Sequence, residues 1–155
     1  MRKVLVTGMS GTGKSTALAE LRRHGFEVVD TDEPGWTEWS AEEAGYVWRE
    51  DRIGELLARP RQVTLYVSGT VSNQGTFYPL FDAVVLLTAP AEVLLGRIEN
   101  RTTNDYGKTP AERQLIFGHL AEVEPLLRAS CTHEIDASQS LDDVVAELAL
   151  IGSGP

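Results

Sequence analysis

Residues 8–15 read GMSGTGKS, and an acidic motif, Asp30-Thr31-Asp32, closes the next apolar run. Gly8, Gly13, Lys14 and Ser15 fit the spacing G-x-x-x-x-G-K-[ST], with Gly11 as an additional glycine. Each residue type has a chemical reason. Glycines let the backbone curl until successive N–H groups face one anion. A helix opening near Lys14 turns its positive dipole end to the same point. The lysine amine then spans the outer phosphates of a nucleoside triphosphate, and the serine hydroxyl ligates Mg²⁺ beside them. The expected phosphate contacts are Gly8, Ser10, Gly11, Thr12, Gly13, Lys14, Ser15 and Thr16, with ATP and Mg²⁺ as ligands.

Asp30 and Asp32 are two positions apart in an extended segment, so their side chains leave on one face. One carboxylate can hold the metal and the other can accept a proton from an attacking hydroxyl. A turn or a helix cap is the plainer use of such a pair. The glycine loop next to it favours the functional use, because ligands in open parallel sheets collect at the carboxyl ends of strands.

These groups need a scaffold. Short apolar runs at residues 4–6, 26–29, 63–67, 83–88 and 132–135 predict five strands, alternating with helical patterns over residues 14–24, 90–101, 109–129 and 140–150. Such alternation predicts an α/β fold with a five-stranded parallel sheet flanked by helices in three layers. Ala17, Leu18 and Leu21 form the stripe of the first helix, and Thr109-Pro110-Ala111-Glu112 has the form of a capping box with proline at the first helical position. Leu115, Ile116, Leu120, Val123 and Leu127 are expected to face inward, with Pro125 interrupting the helix. His119 is expected to pack beside that stripe. Residues 31–59 carry all three tryptophans and are expected to be helical in pieces, and residues 151–155 to fray.

The chain has 155 residues and a formal charge of -9, which suits one domain and argues against a nucleic-acid partner, whose backbone needs a basic face. Cys131 is the single cysteine and cannot form an internal disulfide. No bilayer-length apolar stretch and no signal-peptide pattern is present, so a cytoplasmic protein without membrane partners is expected. No heptad seam marks a dimer over a monomer.

GMSGTGKS, a strand ending VVDTD, the segment LLGRIENR, a polar loop and TPAERQ together resemble the small P-loop kinases of the shikimate, gluconate and adenylate kinase type. The resemblance runs in order along almost the whole chain. It implies a P-loop NTPase fold over residues 1–155, with a helical substrate-binding insert at about 31–59 and a short lid at about 102–109. It implies that Asp30 lies near the metal, with Ser15, and Asp32 near the acceptor hydroxyl. Arg97 resembles the arginine stacked on adenine, and Arg101 the one reaching phosphates at the lid entrance; Lys108 and Arg113 are further lid-side cations. Lys14, Asp32 and Arg101 would then be the catalytic set. Arg52 stands where shikimate kinases have a glutamate, and Ser68-Gly69-Thr70 replaces their glycine run, which points away from shikimate as the acceptor.

Arg49, Gly69 and Asn73, with Asp32, are the candidate acceptor contacts, and Trp36, Trp39 and Trp48 can stack on a ring. The function so read is ATP-dependent transfer of a γ-phosphoryl group to a hydroxyl of a small metabolite. The alternative is a nucleotide-binding regulator or slow ATPase with no acceptor.

Overall fold

The computed structural model describes residues 1–100 and 107–154. Its main sheet contains β1 (Lys3–Gly8), β2 (Glu27–Asp30), a later strand Leu65–Ser68, then Ala83–Thr88 and His133–Asp136. A separate hairpin of β3 (Thr37–Ser40) and β4 (Gly45–Trp48) falls between them, so the remaining strands are β5, β6 and β7 in chain order. The main sheet is ordered β2-β5-β1-β6-β7, and each neighbouring pair is parallel. From β1 the chain goes to the edge strand β2, returns through β5, which fills the place between them, then crosses to β6 and β7 on the other side. The carboxyl end of β1 therefore lies at the point where the winding reverses, where such sheets leave a crevice.

The alternation along each strand explains the layers. Val4 and Val6 of β1, Val85 and Leu87 of β6 and Tyr66 of β5 point to one face, where α1 (Lys14–Arg23) and α6 (Leu141–Ser153) cover them through Ala17, Leu18, Leu21, Val144, Val145 and Leu148. Leu5, Leu65, Val67 and Val84 point to the other, against α2 (Glu50–Ala58) and a 3₁₀ segment at Gln74–Leu80. Leu86 and Met9 meet Leu94 of α3 (Ala91–Asn100) and Leu127 of α5 (Glu124–Ser130) on that side. Strands buried on both faces carry no polar alternation, which is why residues 83–87 read as an unbroken apolar run.

The capping box forms as expected. Thr109 accepts from the Glu112 amide, the Glu112 carboxylate returns to the Thr109 amide, and α4 (Pro110–Glu122) begins there. Pro125 divides the predicted long helix, because its ring removes a donor at the start of α5.

Three expectations need correction. Within residues 31–59 only α2 is helical; residues 37–48 form the β3–β4 hairpin. The register pairs Trp39 with Tyr46 and Thr37 with Trp48. The aromatic pair meets edge to face at 5.4 Å, the cross-strand contact that β-ribbons favour over helices. Second, Leu115 and His119 are exposed; α4 seats itself through Ile116 alone as a fully buried residue, with Leu120 and Val123 at the margin. Third, α6 does not fray at residue 151. Thr64 donates to the Gly152 carbonyl at 2.9 Å and Arg2 to the Ile151 carbonyl at 3.0 Å.

Gly152 also explains why the helix end packs so closely. A Cβ there would collide with the Tyr66 hydroxyl and lie 2.8 Å from its ring carbon Cζ. Tyr66 is fully buried, donates to the Leu148 carbonyl at 2.8 Å, and is pushed up to about 12 by burial against the opposing pull of Arg2. Gly152→Ala is expected to force that ring aside and break the bond, at roughly 2–3 kcal/mol and a Tm lower by about 5–10 °C. Scanning calorimetry checks this; an unchanged Tm would mean that the ring can move at no cost.

Candidate functional site

β1 delivers the chain to Gly8, whose φ of 150° and proximity to β6 leave no space for a side chain: a Cβ would stand 2.6 Å from the Leu87 carbonyl oxygen. Gly11 (φ 87°) is similarly pressed against Leu94, and Gly13 (φ 89°) takes the left-handed conformation that starts α1. The first backbone bond of that helix runs from the Ala17 amide to the Gly13 carbonyl at 2.9 Å. The amides of Lys14, Ser15 and Thr16 precede it and have no partner within the helix, these three residues line the cleft, and Gly13 offers no side-chain cap. The loop is thus an N–H cradle at a helix N-terminus.

Lys14 folds back over the loop, its amine donating to the Gly8 carbonyl at 2.5 Å and the Met9 carbonyl at 3.2 Å. Burial holds this amine down at about 8, and the negative charges of Asp32 and Asp30 only partly offset that. Ser15 donates to an Asp30 carboxylate oxygen at 2.6 Å, while the other Asp30 oxygen accepts from the Asp32 amide at 3.0 Å. Asp32 is held above the usual carboxylate range, first by desolvation and then by Asp30, against the pull of Lys14. Two like charges and one lysine at the carboxyl ends of β1 and β2 are an arrangement that an anion with a divalent cation would complete.

A cleft of about 470 Å³ opens over the loop, lined by residues 10–16, Asp32, Arg97, Ala137, Gln139, Leu141 and Val144. Arg97 reaches in from α3 and donates to the Gly11 and Thr12 carbonyls at 3.4 Å and to the Ala137 carbonyl. Its predicted partner Arg101, and most of the lid at 102–109, lie outside the described residues. Arg113 donates to the Gly107 carbonyl at 3.4 Å.

Of the expected acceptor contacts Asp32 lines that cleft, while Arg49, Gly69 and Asn73 do not. Arg49 starts α2, 3.7 Å from Asp51, with its Nε buried and without a hydrogen-bond partner among the described residues. Arg52 stacks on Trp36, its guanidinium carbon 5.2 Å from the ring centre. Asn73 is occupied by backbone: its carboxamide accepts from the Trp48 amide at 2.9 Å and donates to the Trp48 carbonyl at 3.0 Å. Trp48 is fully buried and Trp39 is exposed on the hairpin.

Sequence reasoning missed several residues that shape the site. Ala137, Gln139, Leu141 and Val144 form the far wall of the cleft; the polar stretch after β7 was their one signal. Thr70 brackets Gly8, accepting from its amide at 3.2 Å and donating to its carbonyl at 2.7 Å. Thr70 lies 3.1 Å from the Thr7 hydroxyl, which accepts from the buried Gln74 at 3.1 Å. Nothing in the sequence pattern announces these long-range bonds.

Ser15 and Asp30 supply two hard oxygen donors side by side, which fits Mg²⁺, an ion that keeps several waters and takes few protein ligands. No cluster of three or more His, Cys, Asp or Glu side chains suited to a metal exists among the described residues. No helix among them is long and apolar enough to cross a membrane.

A five-stranded parallel sheet flanked by helices, with this loop at its reversal point, defines a P-loop protein with a kinase-like fold. The chain belongs to the AAA-domain family, whose profile matches residues 4–125. Among solved structures it is similar to a shikimate kinase from Acinetobacter baumannii in complex with shikimate, at 19% identity, TM-score 0.66, and 97% coverage of this chain and 92% of that one. A shikimate kinase from Bacteroides thetaiotaomicron aligns at 16% identity and TM-score 0.66, covering 97% of each chain. A gluconokinase from Sinorhizobium meliloti aligns at 23% identity and TM-score 0.61, over 98% of this chain and 94% of that one. These neighbours are small P-loop kinases, and at such identities the likeness is one of fold. No curated protein sequence matches the chain significantly.

Proposed function

We propose that this chain is a small-molecule kinase that moves the γ-phosphoryl group of ATP to a hydroxyl of a small metabolite. One observation carries the reading: beyond the Ser15–Asp30 pair there is a second carboxylate, Asp32, beside Lys14 and open to the cleft. Nucleotide binding alone has no use for it, since an extra negative charge opposes phosphates. A reaction that must orient and deprotonate a hydroxyl does.

In this reading Gly8, Ser10, Gly11, Thr12, Gly13 and Thr16 hold the phosphates through the loop, and Lys14 leaves its carbonyl partners to span the transferred group. Ser15 and Asp30 hold Mg²⁺, which when bound offsets phosphate charge. Arg97 and the Ala137–Val144 wall contact the base, and Arg101 with residues 102–109 closes from the lid side. Asp32 takes the acceptor proton. Arg49 faces the acceptor, where the guanidinium suits an anionic group, while Gly69 and Asn73 serve that wall indirectly, Gly69 by leaving room for Thr31 and Trp48 and Asn73 by holding Trp48. The whole chain acts as one domain with residues 31–59 toward the acceptor. A cytoplasmic setting and the absence of a nucleic-acid partner accord with the lone cysteine and the charge of -9.

ATP consumption measured with Mg²⁺ against a panel of sugar acids, polyols and nucleosides tests the proposal. Turnover of the order of 1–100 per second that requires one acceptor is the expected result. Slow turnover indifferent to every acceptor would favour the regulator or ATPase instead.

A further inference from the structure

Thr31 separates the two aspartates, yet it faces the opposite way. It is 1% exposed, and its hydroxyl is held both as a donor and as an acceptor. The hydroxyl donates to the Ser68 carbonyl at 2.7 Å and accepts from the Trp48 indole N–H at 2.9 Å. The Thr31 amide donates to the same Ser68 carbonyl at 3.0 Å. A Cβ on Gly69 would collide with the Thr31 hydroxyl and lie 3.1 Å from the indole nitrogen, so glycine is the residue that lets this junction close. Trp48 is in turn fixed at both its amide and its carbonyl by Asn73. A continuous chain therefore runs from the loop after β5, through the hairpin strand β4, to the turn that carries the two carboxylates.

That turn is otherwise lightly held. Asp30 ends β2, its carbonyl accepts from the Glu33 amide at 3.1 Å, and its side chain rests on Ser15 and on the Asp32 amide. Thr31 is the first residue after β2 and enters the turn that the Glu33–Asp30 bond closes, so anchoring its amide and hydroxyl inward fixes where the turn leaves the sheet and thereby how its two carboxylate-bearing neighbours are presented. We propose that Thr31, clamped by Trp48 and Ser68, is the positioning residue that aims Asp30 at Ser15 and so sets how strongly Mg²⁺ reinforces nucleotide binding. The inference rests on the ATP–Mg²⁺ reading of the site. It reassigns Trp48 and Asn73 from acceptor contacts to supports of the metal-side carboxylate, in the manner of outer-shell groups that orient metal ligands.

The test compares ATP affinity by calorimetry with excess Mg²⁺ and with a chelator, in the wild-type protein, Thr31→Val and Thr31→Ser. Valine keeps the shape and removes the hydroxyl; serine restores it. The Mg²⁺-dependent gain in affinity is expected to fall about tenfold or more in Thr31→Val, and to return in Thr31→Ser. Chelated-ATP affinity is expected to stay within about twofold in all three, since the loop amides and Lys14 carry it. An equal fall in both affinities, or an unchanged Mg²⁺ gain, overturns the proposal. Should Thr31→Val not fold, the wild-type protein still decides. The Trp48 indole N–H resonance, assigned by its loss in Trp48→Phe, is expected to shift when Mg²⁺ joins bound ATP, and a resonance blind to Mg²⁺ overturns the inference. A wild-type ATP affinity indifferent to Mg²⁺ overturns the underlying reading instead, and with it this one.

Discussion

Lys14→Met is expected to reduce phosphoryl transfer by about a thousandfold and, in the absence of nucleotide, to melt higher than the wild type at pH 7. The first half follows from charge. Phosphoryl transfer asks the protein for positioning and electrostatic stabilisation, and Lys14 is a cation seated on the loop, its amine on the Gly8 and Met9 carbonyls. The second half follows from linkage. Folding lowers the lysine from 10.5 to about 8, chiefly by desolvation. Between those values the unfolded chain binds more protons than the folded one, so stability rises with pH across that window. Below about 8 both states are protonated and the full penalty is present. It amounts to roughly 1–3 kcal/mol once discounted for the water that reaches the cleft. Methionine keeps the stem and removes the charge. Its Tm advantage should be largest near pH 7 and shrink as pH approaches 10.5, the unfolded value. Thermal scans at pH 7 and pH 10 check this, and a variant less stable than wild type at pH 7 would show that the bonds to Gly8 and Met9 outweigh desolvation. Saturating MgATP should reverse the order, because it stabilises only the protein that binds it.

The reasons some of this was legible in the sequence are physical. The loop was, because only certain residue types can curl around a polyanion, and their spacing is local. The core strands were, because burial on both faces forces consecutive apolar residues such as Val84, Val85, Leu86 and Leu87. The capping box at Thr109 and the break at Pro125 are likewise decided within four residues. What escaped was decided at a distance. The β3–β4 hairpin has strands of only four residues, too short for either period to declare itself. Nothing local marks Thr31, because its partners are distant in sequence: Ser68 comes from β5 of the main sheet and Trp48 from the hairpin. Asn73 looked like a ligand contact because a carboxamide in a loop carries no mark of the backbone it will grip. Leu115 is expected inward and His119 beside the stripe, yet both are exposed, because helical spacing places residues on faces without saying how wide the covered face is.

Asp32→Asn is expected to reduce kcat by about 10²–10⁴ while leaving MgATP affinity within a few-fold of wild type. Asparagine fills the same volume and can still accept a hydrogen bond from an acceptor hydroxyl, so orientation survives and proton removal does not. The groups facing Asp32 are Asp30, which raises it, and Lys14, which lowers it, with desolvation the largest influence. Its carboxyl therefore keeps a proton to higher pH than an ordinary aspartate. A base must be deprotonated, so kcat/KM of the free enzyme should climb with pH through that raised value, and the limb should vanish in the variant. The substitution has a second signature that an incidental surface carboxylate would not share. Asp32 is the larger of the two charges supporting protonated Lys14, so its loss should lower that lysine further below 8 in the ligand-free protein. Nucleotide binding measured across pH 6–9 would show it as an earlier decline in affinity on the alkaline side. Should Asp32→Asn retain full kcat with the acidic limb intact, the proton must leave by another route, and Asp32 would be reduced to holding Lys14 in its charged form.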